Sequence, residues 1–169
     1  MPASQIHLTN AKQDKLFYLV ANVFVYKDGK CLILKRHERE KAHPGKYAVA
    51  GGKLEWNDLP VDNPTRINGD ILDYQKAIEK LLYRETLEEA GVEIDTSQMK
   101  YIGNVAFIRP DGIPCVLVQF AAPYKSGEIK LEADAFTAYA WVNAEEVKQF
   151  DCIDGIPQEV AMAIRLFKG

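Results

Sequence analysis

The sequence predicts one α+β domain, and three observations predict it. Runs of β-branched and aromatic residues stand on both sides of a central stretch with helical spacing; turn dipeptides separate those runs; and a second helical pattern closes the chain. No repeat, low-complexity tract or linker-like boundary divides residues 1–169, so a single domain spans them.

Taken in order, a polar leader gives way to Leu16–Tyr26, an apolar run of the kind that forms a buried strand. Lys27-Asp28-Gly29-Lys30 reads as a hairpin turn, because Asp-Gly supplies the positive φ a tight turn demands. The return strand is Cys31–Arg36, and the charged segment to Lys46, with Pro44-Gly45, reads as an exposed loop. Tyr47–Ala50 is a short strand running into Gly51-Gly52. Asn57–Asp70, with Pro60, Pro64 and Asn68-Gly69, resists a regular assignment and reads as a long surface loop. Such a loop is either a lid or a neutral insertion. From Asp73 to Ala90 the pattern is helical, with Asp70 or Asp73 as N-cap and Gly91 closing the far end. Met99–Ile108 and Ile113–Ala121 are strands joined at Arg109-Pro110-Asp111-Gly112, and Phe136–Val142 is a further strand. Glu145–Phe150 and Pro157–Phe167 are a short and a longer helix.

Composition excludes several classes. Hydrophobic residues make up 47% and charged residues 27% of the 169, ordinary values for a chain that folds without disulfide or structural metal. The net charge of −3, from 21 basic and 24 acidic residues, argues against a surface that grips bulk nucleic acid. Cys31, Cys115 and Cys152 are far apart without metal-ligand spacing and read as reduced, mostly buried thiols. No run approaches the roughly 20 apolar residues of a membrane helix. Met1–Asn10 lacks a signal-peptide layout. The expectation is a cytoplasmic protein with no membrane partner.

The helix carries the chemistry. At about 100° per residue, Ile78, Leu81 and Leu82 fall in one stripe, and the same stripe continues into Glu85, Glu88 and Glu89. Tyr83, Leu87 and Ala90 form a second apolar side. Three like charges one turn apart repel, and the helix C-terminus disfavours them further. Arg84 offsets one through an i,i+4 pair with Glu88. The pattern alone leaves two readings open, a solvated acidic patch or a site for hard Mg²⁺ or Mn²⁺ with carboxylate ligands.

Gly51-Gly52-Lys53-Leu54-Glu55, followed by Arg84-Glu85-Thr86-Leu87-Glu88-Glu89-Ala90-Gly91-Val92, resembles the signature of the Nudix hydrolase family. That signature reads G-x5-E-x7-R-E-U-x-E-E-x-G-U, with U aliphatic. Its second half matches here at every fixed position, with Thr86 at the first U. Asp58 stands where the family has its first Glu, and 26 positions separate it from Arg84 where the family has 8. About 18 residues, in the region 57–74, are therefore inserted. The insertion puts in question whether Asp58 reaches the helix and whether Arg84 keeps a carboxylate partner. Ala50 and Asn57 replace the more usual proline and glycine.

The resemblance implies an α/β/α sandwich with a mixed central sheet. It implies Mg²⁺ or Mn²⁺ held by Glu85, Glu88, Glu89 and the Gly52 carbonyl, with Glu85 alternatively orienting the attacking water. Related chains often place a further acid three residues before the late tryptophan, but that position here is Ala138. Glu132 and Asp134 are the nearest upstream acids, and Asp134 is favoured as the closer. The implied chemistry is attack of water at phosphorus in a nucleotide diphosphate linkage. Lys35, Arg36 and Lys53 are candidates for phosphate contacts, against a simpler reading as surface charges. Phe17, Tyr18, Tyr47 and Trp56 are candidates for stacking on a base, with Trp56 first. His37 and His43 receive no role. The expected substrate is a small nucleotide, a nucleoside triphosphate before ADP-ribose or another nucleotide sugar, since no additional N-terminal domain is present for a swapped dimer. A homodimer and a non-catalytic nucleotide-binding module stay open.

Overall fold

The computed structural model describes residues 1–168. Its main sheet is mixed and eight-stranded. β1 (Tyr18–Lys27) and β2 (Lys30–Arg36) form the first hairpin, whose turn has Asp28 at φ 50° and Gly29 at φ 80°. β1 also pairs in parallel with the long β9 (Pro114–Ser126), and β10 (Phe136–Val142) runs antiparallel to β2. β3 (Tyr47–Ala48) lies on β2, β4 (Ala50–Lys53) on β1, and β7 (Glu93–Ile94) and β8 (Lys100–Ile108) on β9.

Two helices cover the sheet's faces, which makes the expected α/β/α sandwich. Alternation along β1 sends Ala21, Val23 and Val25 into one core, with Leu81, Leu82 and Ala90 of α1 (Ala77–Ala90). Phe24 enters the opposite core, with Val160, Ala163 and Ile164 of α2 (Ile156–Phe167). All three cysteines are free and buried, and burial pushes the Cys31 thiol up to about 12. Among the described residues no helix is long and apolar enough to cross a membrane.

Four local expectations change. The insertion is not an irregular loop throughout, because β5 (Arg66–Asn68) and β6 (Ile71–Asp73) pair as a separate hairpin around Asn68-Gly69. Asp73 therefore caps nothing; its carboxylate takes a 2.7 Å hydrogen bond from Arg66 Nε, and α1 starts only at Ala77, after Lys76 at φ 58°. The second apolar side of α1 also fails at Leu87, which is 39% exposed. Thr86 is the buried residue instead, its hydroxyl donating to the Leu82 and Tyr83 carbonyls at 3.0 Å each. Finally, the short C-terminal helix is a 3-10 turn at Glu146–Gln149.

Candidate active site

β4 and the last turns of α1 form the site together. Because Gly52 pairs with Ala21 of β1, it faces α1, and a Cβ built there would stand 2.6 Å from the Glu85 carboxyl carbon. The absent side chain is what lets Glu85 lie against the strand. One residue earlier, the Gly51 N–H donates to Glu89 Oε2 at 3.2 Å. Gly51-Gly52 thus meets Glu85 and Glu89 at once, joining the two halves of the sequence pattern in space.

The two acids are perturbed in the same direction. Burial, then the Glu85 charge, pushes the Glu89 carboxyl up to about 9 against the opposing Gly51 N–H, and the Glu132 charge adds to the rise. Burial also raises Glu85, opposed by Arg84 and reinforced by the Glu88 charge. Glu88 itself is on the outer side of the helix with 57% of its side chain exposed, so it does not share the buried stripe expected for all three.

Arg84 gathers the remaining acids. Its guanidinium pairs with Asp58, lies 3.4 Å from Glu85 and 3.9 Å from Glu88. The insertion therefore leaves Asp58 in reach of α1 and Arg84 with its carboxylate. Burial alone would raise Asp58, whose side chain is only 11% exposed, but hydrogen bonds from Arg84 and the Glu55 N–H hold it below the usual carboxylate range. The same Asp58–Glu55 contact caps the 3-10 turn Trp56–Asp58.

Behind α1, residues 128–135 return along the helix end. Gly91, at φ 74°, ends α1, and the Lys130 and Glu132 N–H groups donate to the Ala90 and Glu89 carbonyls at 2.9 and 3.0 Å. Glu132 thereby comes beside Glu89. Asp134 points elsewhere: 93% exposed, it pairs with Arg39 at 3.0 Å.

Of the proposed substrate contacts, Arg36 is turned into the loop after β2, donating to the Ala42 carbonyl at 2.9 Å and to Glu40 at 3.2 Å. Lys53 is exposed and sits 6.0 Å above the Tyr18 ring, and Trp56 is 55% exposed on its turn. Tyr47 packs edge-on against Phe150 at 5.0 Å, as a core ring does. Sequence reasoning missed the exact neighbour of Gly52 and the placement of Glu132 beside Glu89. Both depend on strand register and loop return, which no local pattern carries.

The donor set fits a hard divalent cation. Two partly buried carboxylates, Glu85 and Glu89, crowd beside a glycine cradle, and burial followed by the Glu85 charge raises the Glu89 carboxyl. Among the described residues no three His, Cys, Asp or Glu side chains are gathered around one point. Arg84 stands between two of the acids, 3.4 Å from Glu85 and 3.9 Å from Glu88.

A NUDIX domain model matches residues 17–160. Over 118 residues, 70% of this chain, the sequence is 26% identical to the NAD-capped RNA hydrolase NudC of Mannheimia succiniciproducens, of whose length it spans 37%. A MutT NUDIX hydrolase from Burkholderia pseudomallei superposes with a TM-score of 0.64 at 20% identity, over 90% of this chain and 99% of that one. The NUDIX domain of Shewanella oneidensis NrtR, complexed with ADP ribose, gives 0.65 at 16% identity, over 94% and 95%. At these identities the structural likenesses speak for the shared sandwich fold.

Proposed function

The chain belongs to the NUDIX family, and from that premise we propose that it hydrolyses a diphosphate linkage in a small nucleotide, with Mg²⁺ or Mn²⁺ held by Glu85, Glu88, Glu89 and the Gly52 carbonyl. The observation that carries this reading is the contact of Gly51-Gly52 with Glu85 and Glu89. When bound, the cation supplies neutralisation of the diphosphate charge and a water of lowered pKa. The chain's own residues do the rest. Gly52 leaves room for Glu85 against the strand, the Gly51 N–H orients Glu89, and Asp58 steadies Arg84. A carboxylate takes the proton of the attacking water. Glu132, beside Glu89, is the better-placed candidate; Asp134, the acid favoured from the sequence, must first leave Arg39.

Among substrates, nucleoside triphosphates are the class favoured by the sequence resemblance. The NrtR domain complexed with ADP ribose supports nucleotide sugars as the second reading. Incubation with Mg²⁺ and a panel of both kinds, with detection of released phosphate, pyrophosphate and nucleoside monophosphate, tests the enzyme. Glu88→Gln and Glu89→Gln are expected to lower turnover by about 10²-fold or more, the range general acid–base and electrostatic groups contribute. Glu132→Gln is expected to lower it more than Asp134→Asn. Binding without turnover across the whole panel would leave a non-catalytic nucleotide-binding module.

A further inference from the structure

One carboxylate outside the site, that of Glu93, joins three elements. Glu93 lies in β7, just past the end of α1, and each of its oxygens takes one hydroxyl. Oε1 accepts from Tyr83, two turns before the helix ends, and Oε2 accepts from Ser126, the last residue of β9. Hydrogen bonds to a charged acceptor are about twice as strong as those between neutral groups. The Ser126 bond and then the Tyr83 bond hold the Glu93 carboxyl below the usual range, and Glu93 in turn raises the Tyr83 hydroxyl. Acceptor and donor therefore keep the protonation that the contact needs. Backbone pairing alone ties these elements weakly, since β7 has two residues and its register with β9 shifts between them.

Ser126 is also where the chain leaves the sheet for residues 127–135, and this segment departs in close contact with the helix end. A Cβ on Gly127, at φ 102°, would stand 2.6 Å from the Gly91 carbonyl oxygen, and one on Gly91 would stand 3.0 Å from the Glu128 carbonyl oxygen. Two facing glycines allow that approach. The Tyr124 hydroxyl adds a 2.6 Å hydrogen bond to the Gly127 carbonyl. Further on, the Glu132 N–H donates to the Glu89 carbonyl at 3.0 Å, and the Glu132 carbonyl accepts from the Ala135 and Phe136 N–H groups at 3.0 Å each. The segment thus runs from a fixed start at Ser126 to Glu132 against the helix, and Glu93 ties that start to α1.

We propose that Glu93 is a tether between Tyr83 and Ser126 that fixes where residues 127–135 begin relative to α1, and thereby a positioning residue for Glu132 beside Glu89. The inference rests on the hydrolase reading for what Glu132 does; the tether itself is tested without turnover.

Amide hydrogen exchange of the metal-free full chain, followed residue by residue, supplies that test. Glu93→Gln keeps the shape but exchanges one accepting oxygen for a donor, and Tyr83→Phe removes one hydroxyl. Each is expected to speed exchange at Lys130 and Glu132 by about five-fold or more, while the amides of β1 and β2 keep their rates. Unchanged exchange in 127–135, or equal acceleration throughout the sheet, overturns the proposal. With Mg²⁺ and a cleaved nucleotide, the same variants are expected to lower kcat by about five-fold or more and to leave KM within about two-fold. Added to Glu132→Gln, Glu93→Gln is expected to lower kcat no further; losses that multiply would show that Glu93 does not act through Glu132 and overturn its positioning role. A chain that cleaves nothing yet loosens at Lys130 and Glu132 loses the hydrolase reading and keeps the tether. Cleavage with exchange unmoved by Glu93→Gln gives the reverse.

Discussion

Two adjacent glycines face opposite ways, and that difference decides what each does. A Cβ at Gly51 would stand 2.4 Å from the Ala21 carbonyl oxygen and 2.9 Å from the Asn22 Cα, both backbone atoms of β1. A Cβ at Gly52 would meet only the end of Glu85, with Oε1 at 2.7 Å. Gly51→Ala must therefore push β4 away from β1, at about 1–3 kcal/mol for overpacking, and each kcal/mol lowers Tm by about 2–4 °C in a chain of this size. Gly52→Ala lets a flexible side chain swing aside. Its Tm is expected to stay within about 3 °C while turnover falls more than ten-fold, because Glu85 is displaced from its proposed ligand position. Thermal melts beside initial rates separate the two, and a Gly52→Ala variant with full turnover would remove Glu85 from the site. The pair itself was legible in the sequence as Gly-Gly after a strand. Which glycine faces the helix was not, since that depends on the pairing of Gly52 with Ala21.

At the scale of elements, counting residues misjudged distance. The 26 positions between Asp58 and Arg84 suggested that the first acid had been carried away from the helix, yet the two are ion-paired. A hairpin explains it: β5 and β6 pair with each other and return the chain close to where it left, so the added residues do not separate the ends. The first hairpin, β10, α2 and the end of α1 at Gly91 were readable because turn dipeptides, periodicity and a C-cap glycine are local signals. The start of α1 was not, because pairing with Arg66 took Asp73 into a strand. Asp58 is thus the fastener between insertion and helix. Asp58→Asn keeps its shape but removes the charge, leaving Arg84 to Glu85 and Glu88 alone. A charged hydrogen bond of this partly buried kind contributes about 1.5–3 kcal/mol. The variant is expected to melt several degrees lower and to be cut by protease within residues 59–75 before the rest of the chain. Unchanged Tm and an unchanged cleavage pattern would mean that the pair holds nothing in place.

Across the whole molecule, the net charge of −3 conceals a partly buried acidic centre between sheet and helix, and this centre ties stability to pH. The Glu89 carboxyl titrates near an ordinary 4.5 when unfolded and at about 9 when folded. Between those values the native chain holds a proton that the unfolded chain has released, so metal-free stability falls as pH rises through the window. The slope approaches about 1.4 kcal/mol per pH unit at most, the limit for one proton. A divalent cation held there, as proposed, would reverse the preference, because it would bind the ionised carboxylates and displace that proton. Saturating Mg²⁺ is therefore expected to raise Tm more at pH 8 than at pH 6. Glu89→Gln removes the titrating group: metal-free, it should be more stable than the unaltered chain at pH 8, show a flatter fall with pH, and lose most of the Mg²⁺ response. Melting curves at four pH values, with and without Mg²⁺, check all three outcomes together. An Mg²⁺ shift of equal size in Glu89→Gln at every pH would place the cation elsewhere.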